Sequence, residues 1–290
     1  MRNGWRLAVV MPAFNEEAQI ESAIQSIPSW VDSLVVVDDG STDLTYQQAK
    51  AVLPKSGKIV TTTGLGVGGA IARGYAEVIS QLDEDNENTE NWAVVVMAGD
   101  GQMDPEDIDN LLIPLKSVPF VKGDRFSHPE GLGQMPKNRR IGSWVLGKLT
   151  SLASGREVKD PQCGYTAVTV DALRQWDWVN EWQGYGYPNW WLLNLGADSI
   201  PYESVPVKSV YRDEKSGIKV FKFLPSISLL LLVGLWRRGW NWYVIGYGKT
   251  PITSRLAVTS TWFSSLLLLG TLPMLLLLEP PSLALIPALF

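Results

Sequence analysis

Two side chains that build many active sites are nearly absent from this 290-residue chain. It has one cysteine, Cys163, and one histidine, His128. A single cysteine excludes an intrachain disulfide and with it the disulfide-framed secreted domains. The pair also excludes a Cys/His zinc site. The N-terminus, MRNGWRLAVVMPAFNEE, offers only about eight apolar residues before proline and charge, too few for a secretory leader. The globular part is therefore expected to stay in the cytoplasm. Charge is scarce at the other end, where Glu279 is the only charged residue after Arg255.

What is present is unevenly spread. Residues 1–207 carry 27 Asp/Glu against 16 Lys/Arg, whereas residues 208–255 carry 9 Lys/Arg against 2 Asp/Glu. With 46% apolar and 19% charged residues, disorder, collagen and coiled coil are excluded. The chain reads as an acidic catalytic-sized domain over 1–207, a basic membrane-interface segment over 208–255 and an apolar end over 256–290.

Leu256–Leu278 contains no charge. As a helix it spans about 35 Å, enough to cross a bilayer core with some tilt. The alternative, a buried core helix, needs an apolar surrounding on every side. Ser282–Phe290 is apolar but too short to span. Upstream, Phe221–Trp236 has an apolar core of only about 13 residues. It is flanked by Lys219, Lys222, Arg237 and Arg238 and followed by Trp240, Trp242 and Tyr243, which favour the headgroup layer. It reads as a helix lying in the membrane interface, with a spanning helix as the alternative. The Lys/Arg excess before Leu256 places that side in the cytoplasm, attracted to anionic lipid.

In the N-terminal half, short β-rich runs alternate with helical periodicity. Strands are expected at 7–11, 34–37, 58–62, 92–97 and 118–121, and helices at 16–27, 44–53, 66–82 and from Pro105 to Leu115. Repeated βα units predict an α/β fold with a mostly parallel sheet flanked by helices. Ligands of such sheets bind beyond the carboxyl ends of the strands. Polar clusters stand at those ends: Asn15-Glu16, Asp38-Asp39 and Asp100-Gly101-Gln102. Three converging acidic clusters suit a divalent cation and a nucleotide. Gly64-Leu65-Gly66-Val67-Gly68-Gly69 follows the third strand, not the first, and lacks the Gly-Lys-Ser/Thr of a P-loop. It is either a close-packed helix entry or a place where backbone amides meet a donor phosphate.

Five motifs occur in order: Val10-Met11-Pro12-Ala13-Phe14-Asn15-Glu16-Glu17, Val36-Val37-Asp38-Asp39-Gly40-Ser41-Thr42-Asp43, Gly66-Val67-Gly68-Gly69-Ala70, Asp100-Gly101-Gln102 and Asp160-Pro161-Gln162-Cys163-Gly164-Tyr165. Together they resemble the family 2 glycosyltransferases of the GT-A fold, especially those like dolichol-phosphate mannose synthase and the polyprenyl-phosphate glycosyltransferases. The resemblance covers about residues 7–220. It implies a membrane-bound inverting enzyme that moves a hexose from a nucleotide-diphosphate sugar, of GDP-mannose or UDP-glucose type, to polyprenyl or dolichyl phosphate. It implies no nucleic-acid partner.

Carried over by position, the resemblance assigns donor binding to Pro12, Ala13, Phe14, Glu16, Asp38, Asp39, Gly68, Asp100 and Lys208. It assigns the acceptor phosphate to Arg125, Arg139, Arg140 and Ser143, where guanidinium forks suit phosphate oxygens. Asp100, Arg125 and Arg139 are the expected catalytic residues. Asp100 and Gln102 are the expected ligands of Mg²⁺ or Mn²⁺, and Ala98 stands where the family's metal motif has its first carboxylate. Asp104 reads first as the N-cap before Pro105. Lys215 lies in a segment expected to close over the donor. A lipid phosphate is already anionic and needs positioning rather than deprotonation. A hydroxyl acceptor would need a base, for which Asp160 is the nearby candidate; its alternative role is to anchor the loop before Pro161. Asn189, Trp190 and Trp191 stand where the family often carries a carboxylate, which leaves open a catalytically impaired membrane-bound binding subunit.

Overall fold

The computed structural model describes residues 1–130, 135, 137–210, 220–246 and 251–277, without the side chains of 137–139, 220–223, 254, 262, 266 and 268–277. Seven strands form one sheet in the order β3-β2-β1-β4-β6-β5-β7. These are β1 Arg6–Ala13, β2 Ser33–Asp38, β3 Gly57–Thr61, β4 Trp92–Val96, β5 Phe120–Asp124, β6 Thr166–Thr169 and β7 Tyr202–Pro206. β1 pairs in parallel with β2 and β4, β2 with β3, and β5 with β7. Only β6 is antiparallel, to both β4 and β5.

The central strands are apolar on both faces because both faces are covered. Val10, Val35 and Val37 face α3 (Val67–Glu84) and the aromatic cluster around α7 (Tyr187–Ala197). Val9, Met11 and Val36 face α1 (Ile20–Gln25) and α4 (Ile108–Leu112). Every residue of α7 is buried, so Trp190 and Trp191 belong to the core. α2 (Thr45–Val52) packs near α1, α5 (Lys137–Ser154) lies against α7, and α6 (Val170–Leu173) follows β6.

Two helices differ from the periodicity. The first begins at Ile20 rather than Glu16, because Glu16 and Glu17 use their amides on Thr45 Oγ1 and Asp43 Oδ2 at 2.7 and 3.2 Å. The Pro105–Leu115 helix is split into 3₁₀, α and 3₁₀ pieces, the last starting at Pro114, a residue with no amide to continue the ladder.

The chain divides into two compact units, Met1–Arg238 and Gly239–Phe290. In the first, α8 (Val220–Gly239) sets Ile227 and Leu230 into the core and Gly234 against Leu193. Leu224, Leu229, Leu232 and Val233 remain exposed on it. In the second, a π-helical turn (Trp240–Ile245) precedes α9 (Ile252–Leu277). Arg255 there donates to the carbonyls of Tyr243 and Val244 at 3.2 and 3.0 Å. Among the described residues no helix is long and apolar enough to cross a membrane. Leu278, the end of the expected span, and Ser282–Phe290 lie outside the described residues, as does Lys215.

Candidate active site

The sheet topology brings every motif to one edge. β1–β5 and β7 end there, except that β6, running the other way, begins there. The segments after the first five strands and β7, and the Asp160–Tyr165 loop before β6, therefore share a rim.

The loops after β1 and β2 are zipped together. Asn15 adopts φ 56°, its amide donates to Ser41 Oγ at 3.0 Å and its side-chain oxygen accepts from Thr42 N at 2.9 Å. Pro12 and Ala13 are buried in the strand, Glu16 is half-buried, and Phe14, just past the end of β1, is 55% exposed. Asp38 accepts from Ser41 N at 3.1 Å, closing the Asp-Gly-Ser turn. Asp39 works differently. One oxygen accepts from the Thr62 hydroxyl and from Leu65 N at 2.7 Å, and the other from Gly66 N at 2.7 Å. Asp39 is thus a buried peg for the glycine-rich loop after β3.

That loop corrects one expectation. The amides of Gly68 and Gly69 donate to the Gln183 carbonyl at 2.8 and 3.3 Å. A Cβ on Gly68 would collide with the Trp182 carbonyl oxygen and lie 2.8 Å from Tyr187 Cβ. The glycine is needed for protein-protein approach, and its amide is occupied by a carbonyl rather than open to a phosphate.

The Asp100 turn is held from two sides. Asp100 Oδ1 accepts from Gln102 N at 3.0 Å across Gly101, which has φ 66°. The Gln102 carbonyl accepts from Val210 N at 3.0 Å, and Met103 bridges to Ser209. Lys208 N donates to buried Asp107 at 2.6 Å. Burial pushes the Asp107 carboxyl above its ordinary value. Lys208 Nζ reaches Glu130 at 3.0 Å; the contact raises the lysine pKa and lowers the glutamate's. Asp104 accepts from Glu106 N at 3.0 Å and is the N-cap before Pro105. Among the described residues no group of three or more His, Cys, Asp or Glu side chains is placed to hold a metal ion. The expected donors, Asp100 and Gln102, lie two residues apart in one turn and would offer two side-chain oxygens. That set fits a hard cation that keeps its waters and borrows phosphate oxygens.

Two further expectations change. Arg125 is buried, and its fork closes on Asp160 with Nε–Oδ2 2.7 Å and Nη2–Oδ1 2.9 Å, while its own amide donates to Oδ2 at 3.1 Å. The fork expected for a phosphate is thus spent on a carboxylate, and the carboxylate considered as a base is sealed. Burial alone would raise the Asp160 carboxyl, but Arg125, with Lys122 behind it, overrides this and holds it below the ordinary range. Lys122, a residue that sequence alone does not mark, is fully buried. It donates to the carbonyls of Asp160, Cys163 (3.0 Å) and Gly123 (3.3 Å), and burial lowers its pKa. Of the expected acceptor-binding residues on α5, Arg140 is exposed and Ser143 half-buried; the Arg139 side chain lies outside the described residues.

An α/β sheet with this topology, and a rim bearing Asp-Asp and Asp-x-Gln turns, defines a GT-A-type glycosyltransferase. Glycosyl transferase family 2 matches residues 8–176. The chain belongs to that family. It is 26% identical over 223 residues to the UDP-N-acetylglucosamine–dolichyl-phosphate N-acetylglucosaminyltransferase of Methanococcus voltae, covering 71% of this chain and 86% of the relative. It is 27% identical over 188 residues to an undecaprenyl-phosphate mannosyltransferase of Micrococcus luteus, covering 63% and 74%. In fold it is similar to glucosyl-3-phosphoglycerate synthase from Mycobacterium tuberculosis, solved with Mn²⁺ and UDP, at TM-score 0.55 and 24% identity over 81% of this chain and 80% of that one.

Proposed function

We propose that the protein is a membrane-associated, inverting hexosyltransferase that moves a sugar from a nucleotide diphosphate to a polyprenyl phosphate. The observation that carries the acceptor's chemistry is the Arg125–Asp160 pair. The nearby candidate base is locked in a buried ion pair, and Asn189 stands in place of a second carboxylate. A hydroxyl acceptor would need a base; a phosphate monoester is anionic already. The names of the Methanococcus and Micrococcus relatives support the same acceptor class.

In this reading the loops carrying Phe14 and Asp38 receive the nucleoside. Asp100 and Gln102 would hold Mg²⁺ or Mn²⁺ together with diphosphate oxygens and water. Held there, such a cation would supply charge neutralisation for the departing diphosphate. Lys208, fixed by its amide to Asp107, would meet the same diphosphate as a second cation by exchanging its exposed ion pair with Glu130. Arg139, Arg140 and Ser143 on α5 orient the attacking lipid phosphate for in-line displacement at the anomeric carbon. Arg125 holds the Asp160–Tyr165 loop in place.

Membrane association is supported by two apolar helix faces. α5 exposes Ile141, Trp144, Val145, Leu149 and Leu152, one stripe at helical spacing. The outer face of α8 is also apolar. The uncharged composition of residues 256–278 accords with anchoring, with the catalytic domain on the cytoplasmic side.

One experiment decides between acceptors. Purified protein in nanodiscs is given labelled UDP-glucose or GDP-mannose, Mn²⁺ and undecaprenyl phosphate. Label is expected in the organic phase, in a product cleaved by mild acid. A second reading has its own support, because a 52-residue stretch is 54% identical to the Mycobacterium tuberculosis glucosyl-3-phosphoglycerate synthase. Label moving instead to water-soluble phosphoglyceric acid would replace the lipid acceptor with a small phosphorylated one.

A further inference from the structure

The direction of the Gln162 amide is fixed by a relay of hydrogen bonds that ends on a helix carbonyl. Thr150, on α5, gives its hydroxyl proton to the Leu146 carbonyl at 2.8 Å. Its oxygen then accepts from Asn189 Nδ2 at 2.7 Å. Asn189 is fully buried on α7, and its oxygen accepts from Gln162 Nε2. A hydroxyl has one proton and an amide has unlike ends. Once Thr150 donates to its own helix, reversing either amide would set two donors or two acceptors face to face.

Gln162 is half-buried in the Asp160–Tyr165 loop. Gly164, two residues on, packs against the Tyr187 hydroxyl, and a Cβ there would lie 3.6 Å from Met103 Cε. Met103 belongs to the Asp100 turn; its sulfur accepts from Ala98 N at 3.4 Å. The loop is therefore the neighbouring wall of the rim beside Asp100 and Gln102.

The geometry points to Gln162 as the residue that reads a hydroxyl of the donor sugar, with Asn189 as the residue that positions it. This rests on the nucleotide-sugar reading above. With one N–H spent on Asn189, the amide offers its second N–H and its Oε1 carbonyl. A sugar hydroxyl both gives and takes a hydrogen bond and satisfies that pair. A phosphate oxygen only accepts, and would place negative charge beside Oε1. The side chains suited to anions stand elsewhere on this unit, at Lys208 and Arg140.

The test is calorimetric binding of UDP, UDP-glucose, GDP and GDP-mannose, with Mn²⁺, to the full chain and to Gln162→Ala, Asn189→Leu and the double variant. Gln162→Ala is expected to weaken the preferred nucleotide sugar about tenfold, the loss of one hydrogen bond, and to leave the matching free nucleotide unchanged. Asn189→Leu should lose a similar factor, and the double variant no more than either alone, because the two residues act as one unit. Equal weakening of nucleotide and nucleotide sugar, no weakening of either, or additive losses would overturn the assignment. Should Asn189→Leu fail to fold by circular dichroism, Gln162→Ala decides alone, since its side chain is half-exposed. Failure of the underlying reading looks different: the unaltered chain would then bind neither nucleotides nor their sugars, and the inference would fall with it.

Discussion

Arg125 and Asp160 face each other through two parallel hydrogen bonds of 2.7 and 2.9 Å in a place where both are buried. The pair joins the end of β5 to the loop that enters β6. Lys122, 38 positions before Asp160, binds the same loop through its carbonyls. Two cations thus hold a six-residue segment that forms part of the rim.

Removing one partner leaves a buried charge uncompensated. Asp160→Asn is expected to cost about 3–5 kcal/mol of stability, whereas replacing both partners with apolar residues of similar volume should recover most of it. Urea denaturation of the single and double variants measures this. A single-variant loss within the range of an exposed pair, below about 1 kcal/mol, would show that water reaches the site.

The same pair sets a pH dependence. Asp160 titrates below the ordinary carboxylate range in the folded chain because Arg125 and Lys122 outweigh its burial. Its stabilisation is then fully present above the unfolded value, about 4, and is lost as pH falls through the lower folded value. The stability gap between the unaltered chain and Asp160→Asn should be widest above about pH 5 and narrow steadily below about pH 4. A gap unchanged down to strong acid would contradict that order of pKa values.

Much of the frame was legible because burial on two faces leaves continuous apolar runs, as in Leu7–Met11, Leu34–Val37 and Ala93–Met97. The Asp38 turn was legible from its own side chains. β6 was not: four residues, Thr166–Thr169, become a strand only between two partners, which no local period encodes. Lys122 has the appearance of a surface lysine, and its burial depends on carbonyls about forty positions away. The family resemblance, carried over by position, assigns Gly68 to the donor and Arg125 to the acceptor phosphate. Their actual partners, the Gln183 carbonyl and Asp160, are set by tertiary packing and are invisible to a linear reading.

Gly68 supplies a sharp check on packing. Gly68→Ala drives a methyl group into the Trp182 carbonyl, an obstacle made of backbone that no rotamer relieves. The expected loss is about 1–3 kcal/mol, in the range of overpacked sites, and it should appear in the absence of any ligand. Thermal denaturation of the free protein measures it. A variant as stable as the parent, but impaired in nucleotide binding, would return Gly68 to the phosphate role.

In the proposed site Asp100 and Gln102 would offer two oxygens from one turn, and among the described residues no group of three or more His, Cys, Asp or Glu side chains is placed to hold a metal ion. Mn²⁺ alone should therefore bind weakly, because most of its shell must come from water. Nucleotide diphosphate adds phosphate oxygens and should tighten Mn²⁺ by about tenfold or more, and by linkage the cation should tighten the nucleotide by the same factor. Asp100→Asn removes the charge of the proposed ligand while keeping its shape. It should abolish that mutual tightening and leave the unfolding midpoint close to that of the parent. Titration of Mn²⁺ by electron paramagnetic resonance, with and without UDP or GDP, measures both terms. Tight Mn²⁺ binding without nucleotide, or tightening that survives Asp100→Asn, would move the cation away from this turn.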